Sequence, residues 1–157
     1  MDIQSLLKHL VEFESAIGGL YEWFSQIFAG DREAEFVFYR LALEERGHVD
    51  LIEFQRRLVR KNPGSFGEVT VDFQEIVRLT DRVRSVRRGD QPPTLDQAVA
   101  LALELEGSAA EYHYRTAMRE ASPDAARLLD SLGKADQFHV TGLRDFAARR
   151  GLSSPPG

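Results

Sequence analysis

The stretch Leu43-Glu44-Glu45-Arg46-Gly47-His48 decides how this chain is read. Glu45 and His48 stand three residues apart, and positions i and i+3 share one face of a helix. A carboxylate and an imidazole can therefore reach the same point in space. The chain carries a second pair with the same spacing, Asp136-x-x-His139. Alone, an acid three residues before a histidine is a common helical coincidence. Two of the chain's four histidines in such pairs, each midway along a helical stretch, is not.

The surrounding sequence supplies the helices. Residues 5–29 place Leu7, Leu10, Val11, Ile17, Tyr21, Phe24 and Phe28 at three- and four-residue steps, with Glu14 inside that stripe. Gly30-Asp31 stops this helix and caps the next, 32–60, whose inward stripe is Ala34, Phe38, Leu41, Glu45, His48, Ile52 and Val59. Glu44 falls off that stripe. Lys61-Asn62-Pro63-Gly64 is a strong breaker. A long connection over 61–93 follows, with Val69-Thr70-Val71 briefly extended and a short helix over 73–87. Thr94 caps a third long helix running to about Glu120, with Gln97 at the capping-box position. Ser122 and Pro123 open the fourth, which runs to Arg150 with Asp136 and His139 among Leu128, Leu129, Leu132, Val140, Leu143 and Phe146. Gly151 stops it. These signals predict an all-α domain over 1–151 and a disordered tail over 152–157. Two short connections and a long middle one fit a four-helix bundle with one long crossover between the second and third long helices.

Composition narrows the chemistry. With 157 residues, 43% of them hydrophobic and 29% charged, the chain suits one domain with its own core. A net charge of −5 argues against nucleic acid as the principal partner. There is no cysteine, so disulfides, thiolate nucleophiles and cysteine-ligated zinc or iron are excluded. No segment reads as a membrane span or a secretory leader, and the expectation is a cytoplasmic protein.

Glu14, Glu45, Asp136, His48 and His139 all sit in otherwise apolar stripes without an inward Lys or Arg nearby. Buried carboxylates need compensation. Buried ion pairs are one form of it, and a divalent metal pair, which offsets several carboxylates at once, is another. The third long helix must supply a further carboxylate from Glu104, Glu106 and Glu111. Glu104 and Glu111 share a face and Glu106 is rotated away, but periodicity leaves the choice open. His9 and His113 read as surface or ordinary packing residues.

Taken together, these motifs resemble the rubrerythrin-type branch of the ferritin-like di-iron family, over nearly the whole chain. Glu14 with Tyr21 resembles its first-helix Glu-x6-Tyr, and Glu45-x-x-His48 its second-helix pair. The segment A-L-E-L-E-G-S-A-A-E-Y resembles one in which a ligand Glu precedes a Tyr by eight residues, which selects Glu104 with Tyr112. The segment A-D-Q-F-H-V-T-G-L-R-D-F-A resembles the fourth-helix ligand segment. The resemblance implies a ferritin-like four-helix bundle and two iron ions, with manganese or a mixed pair as variants. Glu14 and Glu104 would each bind one iron, Glu45 and Asp136 would bridge, and His48 and His139 would bind one each. Glu111 is the alternative to Glu104, and Tyr21 and Tyr112 would support the ligands by hydrogen bonds. Three departures stand out. Asp136 replaces the usual Glu, Gly107 stands where a further Glu is usual, and no cysteine is present for a rubredoxin-type domain. Electrons would then come from a separate donor protein or from ferrous iron itself.

Three functions follow as expectations. The first is reduction of hydrogen peroxide, or of dioxygen, at the metal pair. The second is ferroxidase activity with iron storage or delivery. The third is a metal-free helical interaction module. Trp23 and Phe36 read as outward apolar residues of a homodimer surface.

Overall fold

The computed structural model describes residues 2–65, 73–119 and 122–153. They form five α-helices: α1 (Ile3–Ile27), α2 (Arg32–Lys61), α3 (Gln74–Val86), α4 (Leu95–Arg119) and α5 (Pro123–Arg150), with a 3-10 turn at Pro63–Ser65. The all-α expectation holds. Val69-Thr70-Val71 and Glu120 lie outside the described residues.

The ends of the helices are set by their caps. Asp2 starts α1 by accepting from the Ser5 amide at 3.0 Å, which puts the start two residues before the expected one. Asp31 caps α2 through the Ala34 amide at 3.2 Å, and Glu33 and Glu35 face the positive end of its dipole. Thr94 and Gln97 form the expected reciprocal capping box of α4, at 3.0 and 3.3 Å. α5 ends at Gly151, whose φ of 61° is the left-handed conformation that glycine adopts without a Cβ penalty. The Leu152 amide then bonds to the Ala147 carbonyl at 2.9 Å, and the Leu152 side chain packs on the core. Ser153 donates to Asp96 at 2.9 Å. This cap and its apolar contact hold Leu152 and Ser153, which the sequence assigns to the expected tail; residues 154–157 lie outside the described residues.

α1 packs along α2, and α4 packs along α5. The start of α1 meets the end of α2 through Gln4 and the Arg56 carbonyl, at 3.2 Å. The start of α2 meets the end of α5 through Arg150–Asp31 and Arg149–Glu33. α3 lies against α1. It is tied to α4 at two levels, by Arg82–Glu104 and by Arg115–Glu75.

One core draws on all five helices. Leu10, Phe13, Ile17 and Leu20 of α1 meet Leu41 and Ile52 of α2, Val99 and Leu105 of α4, Leu129 and Leu143 of α5, and Ile76 and Val83 of α3. At one end Tyr21, Phe24, Phe28 and Phe38 form an aromatic cluster. Trp23 is half-buried against the core with Arg87 over its ring, so it is not the outward residue expected; Phe36 is outward, at 62% exposure. Among the described residues no helix is long and apolar enough to cross a membrane.

Candidate metal centre

Near the middle of the molecule, α1, α2, α4 and α5 each turn polar side chains into the core. Glu14, Glu45, Glu106, Asp136, His113 and His139 are all at most 4% exposed. His48 joins them, with 13% of its side chain exposed. Each helix contributes two groups, and the spacing repeats between the hairpins: Glu14 and Tyr21 on α1 match Glu106 and His113 on α4 at seven residues, and Glu45 and His48 on α2 match Asp136 and His139 on α5 at three.

The carboxylate of α4 is Glu106, not Glu104. Glu104 is half-exposed and forms a bidentate pair with Arg82 of α3, one arm at 2.7 Å. Glu111 is also exposed. The buried stripe of α4 runs through Val99, Ala102, Leu105, Glu106, Ala109 and His113, at the steps of one helix face. Glu106 was legible as part of that stripe, three residues before Ala109 and seven before His113. Choosing the Glu eight residues before Tyr112 instead moved the ligand to the opposite side of the helix.

Two trios of potential ligand atoms result, Glu14/Glu45/His48 and Glu45/Glu106/His139. His48 Nδ1 lies 2.9 Å from Glu45 Oε2 and 3.2 Å from Glu14 Oε2. His139 Nδ1 lies 3.0 Å from Glu45 Oε1 and 3.0 Å from Glu106 Oε2. Glu45 thus offers one oxygen to each trio. The two imidazole rings stack at 5.5 Å.

Asp136 belongs to neither trio. Its Oδ2 meets His113 Nδ1 at 2.7 Å, so the expected second bridge is instead tied to a histidine that had read as ordinary packing. The shorter Asp side chain stops at that partner. His113 is fully buried, and its Nε2 lies 3.8 Å from Glu14 Oε1. Tyr21 donates to Glu106 Oε1 at 2.5 Å, which links the first hairpin to a buried carboxylate of the second. Tyr112 is buried, and its ring makes a T-shaped contact with that of His113. On the solvent side, Glu44 Oε2 lies 2.9 Å from His139 Nε2. A carboxylate on the outer nitrogen holds Nδ1 as the inward-facing atom, the arrangement usual behind metal-bound imidazoles.

Burial pushes the Glu14 carboxyl up to about 7, against the hydrogen bond from His48. Burial also raises Glu106 and Asp136, against their histidine partners. For His48, burial opposes the charged ring, but hydrogen bonds to Glu14 and Glu45 prevail and lift it to about 10. The same balance, with Glu106 and Glu45, lifts His139 to about 11. Among the described residues no Lys or Arg pairs with the four buried carboxylates, so in the metal-free chain the imidazoles supply the compensating charge.

That compensation is incomplete. Glu14 Oε1 and His113 Nε2 are buried and make no hydrogen bond. Each such group costs about 1–3 kcal/mol. A donor set of carboxylate oxygens and imidazole nitrogens, with the orphaned Glu14 Oε1 among it, suits iron, manganese or zinc and disfavours thiophilic metals. The residues present therefore fit a pair of divalent ions. Comparison with known proteins finds no family model, no curated protein and no solved structure that matches the chain.

Proposed function

We propose that this chain is a ferritin-like, rubrerythrin-type di-iron protein that reduces hydrogen peroxide, or dioxygen, with electrons from a separate donor. The observation that carries this reading is Glu45, a buried carboxylate with one oxygen in each of two Glu/His trios. The architecture supports it too. The α1–α2 and α4–α5 pairings, the α2–α5 end contacts and the position of α3 beside α1 suit a four-helix bundle crossed once by the α2–α4 connection.

In this reading Glu14 and His48 would hold one ion, Glu106 and His139 would hold the other, and Glu45 would serve both. Two ferrous ions would supply one electron each, which with two protons takes hydrogen peroxide to two waters. The protein's own part is to hold these groups still in a dry core. Tyr21 fixes Glu106 through its hydroxyl proton, and Glu44 fixes the His139 ring. His113 and Asp136 hold a proton between Nδ1 and Oδ2 beside the site.

Anaerobic Fe(II) titration followed by peroxide tests the reading. About two irons per chain are expected, with an optical change on oxidation, and Glu106→Ala and His139→Ala should each lower the count. A wild-type chain that takes up no iron, or uptake indifferent to both substitutions, sinks it. One observation favours the metal-free alternative. The imidazoles already pair with the buried acids, and that reading predicts no uptake and no response of stability to chelator.

A further inference from the structure

Between α1 and α2 a cleft of about 380 Å³ opens from the surface down to Glu14. At its inner end lies Glu14, a residue only 1% exposed, whose Oε1 is buried without a hydrogen-bond partner. Its wall on α1 is Gly18 and Gly19. A Cβ on Gly18 would come 3.2 Å from Glu45 Cβ, so the two helices approach closely there. A Cβ on Gly19 would meet nothing within 4 Å, so there the missing side chain leaves open space. At the rim stand Glu22, Arg46 and Asp50, with Arg46 paired to Glu22 at 3.1 Å. The rim therefore carries two exposed carboxylates against one guanidinium. A recess with that balance concentrates cations. At about 30 Å³ per water it has room for roughly ten waters, enough for an ion that still carries its hydration shell.

We infer that this cleft is the route by which divalent cations reach the centre: Glu22 and Asp50 collect the ion, Glu14 receives it, and Arg46 holds Glu22 until the ion displaces it. An exposed pair such as Arg46–Glu22 is weak and exchanges readily, as a collecting site requires. This inference rests on the metal-centre reading, but it concerns the path rather than the site.

Stopped-flow mixing of the full chain with Co(II) alone, followed by the visible absorbance of the bound ion, tests it. Gly19→Leu fills the open space of the cleft and should slow loading by about tenfold or more without altering the amount bound at the end. Gly47→Leu, an equivalent change on the exposed face of α2 and away from the cleft, serves as the control and should load at the wild-type rate. Arg46→Ala should accelerate loading by about threefold to tenfold at low salt, and Glu22→Gln should slow it. Should Gly19→Leu fail to fold by circular dichroism, the opposite signs of these last two decide. If Gly19→Leu loads at the wild-type rate, or the two charge variants change nothing, the route is overturned and the metal centre stands. If the wild-type chain binds no Co(II) at all, route and centre fall together.

Discussion

Glu104 and Glu106 are two residues apart, yet they belong to different environments, one paired with Arg82 in solvent and one buried between His139 and Tyr21. Their substitutions should separate cleanly. Glu104→Gln should leave metal stoichiometry unchanged and cost under about 1 kcal/mol of stability, as expected for an exposed pair. Glu106→Gln should remove the His139-side ion, which metal analysis after gel filtration will report. Glu44 is predicted to act through His139. Glu44→Gln should weaken metal binding by roughly 10–100-fold, the usual effect of losing a carboxylate behind a metal-bound imidazole, and Glu44→Asp should restore part of it. An affinity unchanged in Glu44→Gln would mean that the 2.9 Å contact is incidental.

The titrating residues give two opposed pH trends. Glu14, His48 and His139 all bind protons more tightly in the folded chain than in the unfolded one. Folded-state proton uptake stabilises at low pH, and that stability is lost as pH rises. The loss runs from about 4.5 to about 7 for Glu14, from 6.5 to about 10 for His48 and from 6.5 to about 11 for His139. The metal-free chain should therefore melt at progressively lower temperature from pH 6 to pH 10. Metal affinity should move the other way, because ring nitrogens must lose their protons to bind. Calorimetric titrations in buffers of different ionisation enthalpy will read the released protons directly. A metal-free melting temperature flat across this range would remove the imidazolium network as the source of compensation.

At the scale of elements, the helices and their ends were legible because caps and breakers are local. Asp31, Thr94 with Gln97, Ser122 with Pro123 and Gly151 all act where the sequence places them. The paired spacings on α2 and α5 were legible for the same reason. The inward carboxylate of α4 is hard to read from sequence because its identity depends on rotation about one helix axis, which an apolar stripe fixes and a motif offset does not. His113 was missed for a different reason. Its partner, Asp136, comes from another helix, and nothing within α4 announces a contact made across the core. Helix packing also yields a prediction. At Gly18, an added methyl must push on Glu45 Cβ at 3.2 Å, so Gly18→Ala sets crowding of about 1–3 kcal/mol against a helix-propensity gain of up to about 1 kcal/mol. A net loss in melting temperature with weakened metal binding is expected. A stabilised variant with unchanged affinity would show that the two helices have slack there.

For the whole molecule, bound metal should act as a cross-brace, since the candidate ligands come from four helices and both hairpins. Metal at a hundred times its dissociation constant should raise stability by about 2.7 kcal/mol, and chelator should reverse it. Sedimentation separates the catalytic and storage versions of the proposal, because self-contained storage requires a cage and catalysis does not.

The two trios differ in where their residues lie along the chain. Glu14, Glu45 and His48 all belong to the first hairpin, whereas Glu106 and His139 must borrow Glu45 from it. The first site can therefore be assembled as soon as α1 and α2 have paired, by local contacts that form early. The second comes into being only when the two halves of the chain meet. Ion by ion, the protein would then record its own folding: one early capture that marks a finished hairpin, and one late capture that certifies that the second has found it.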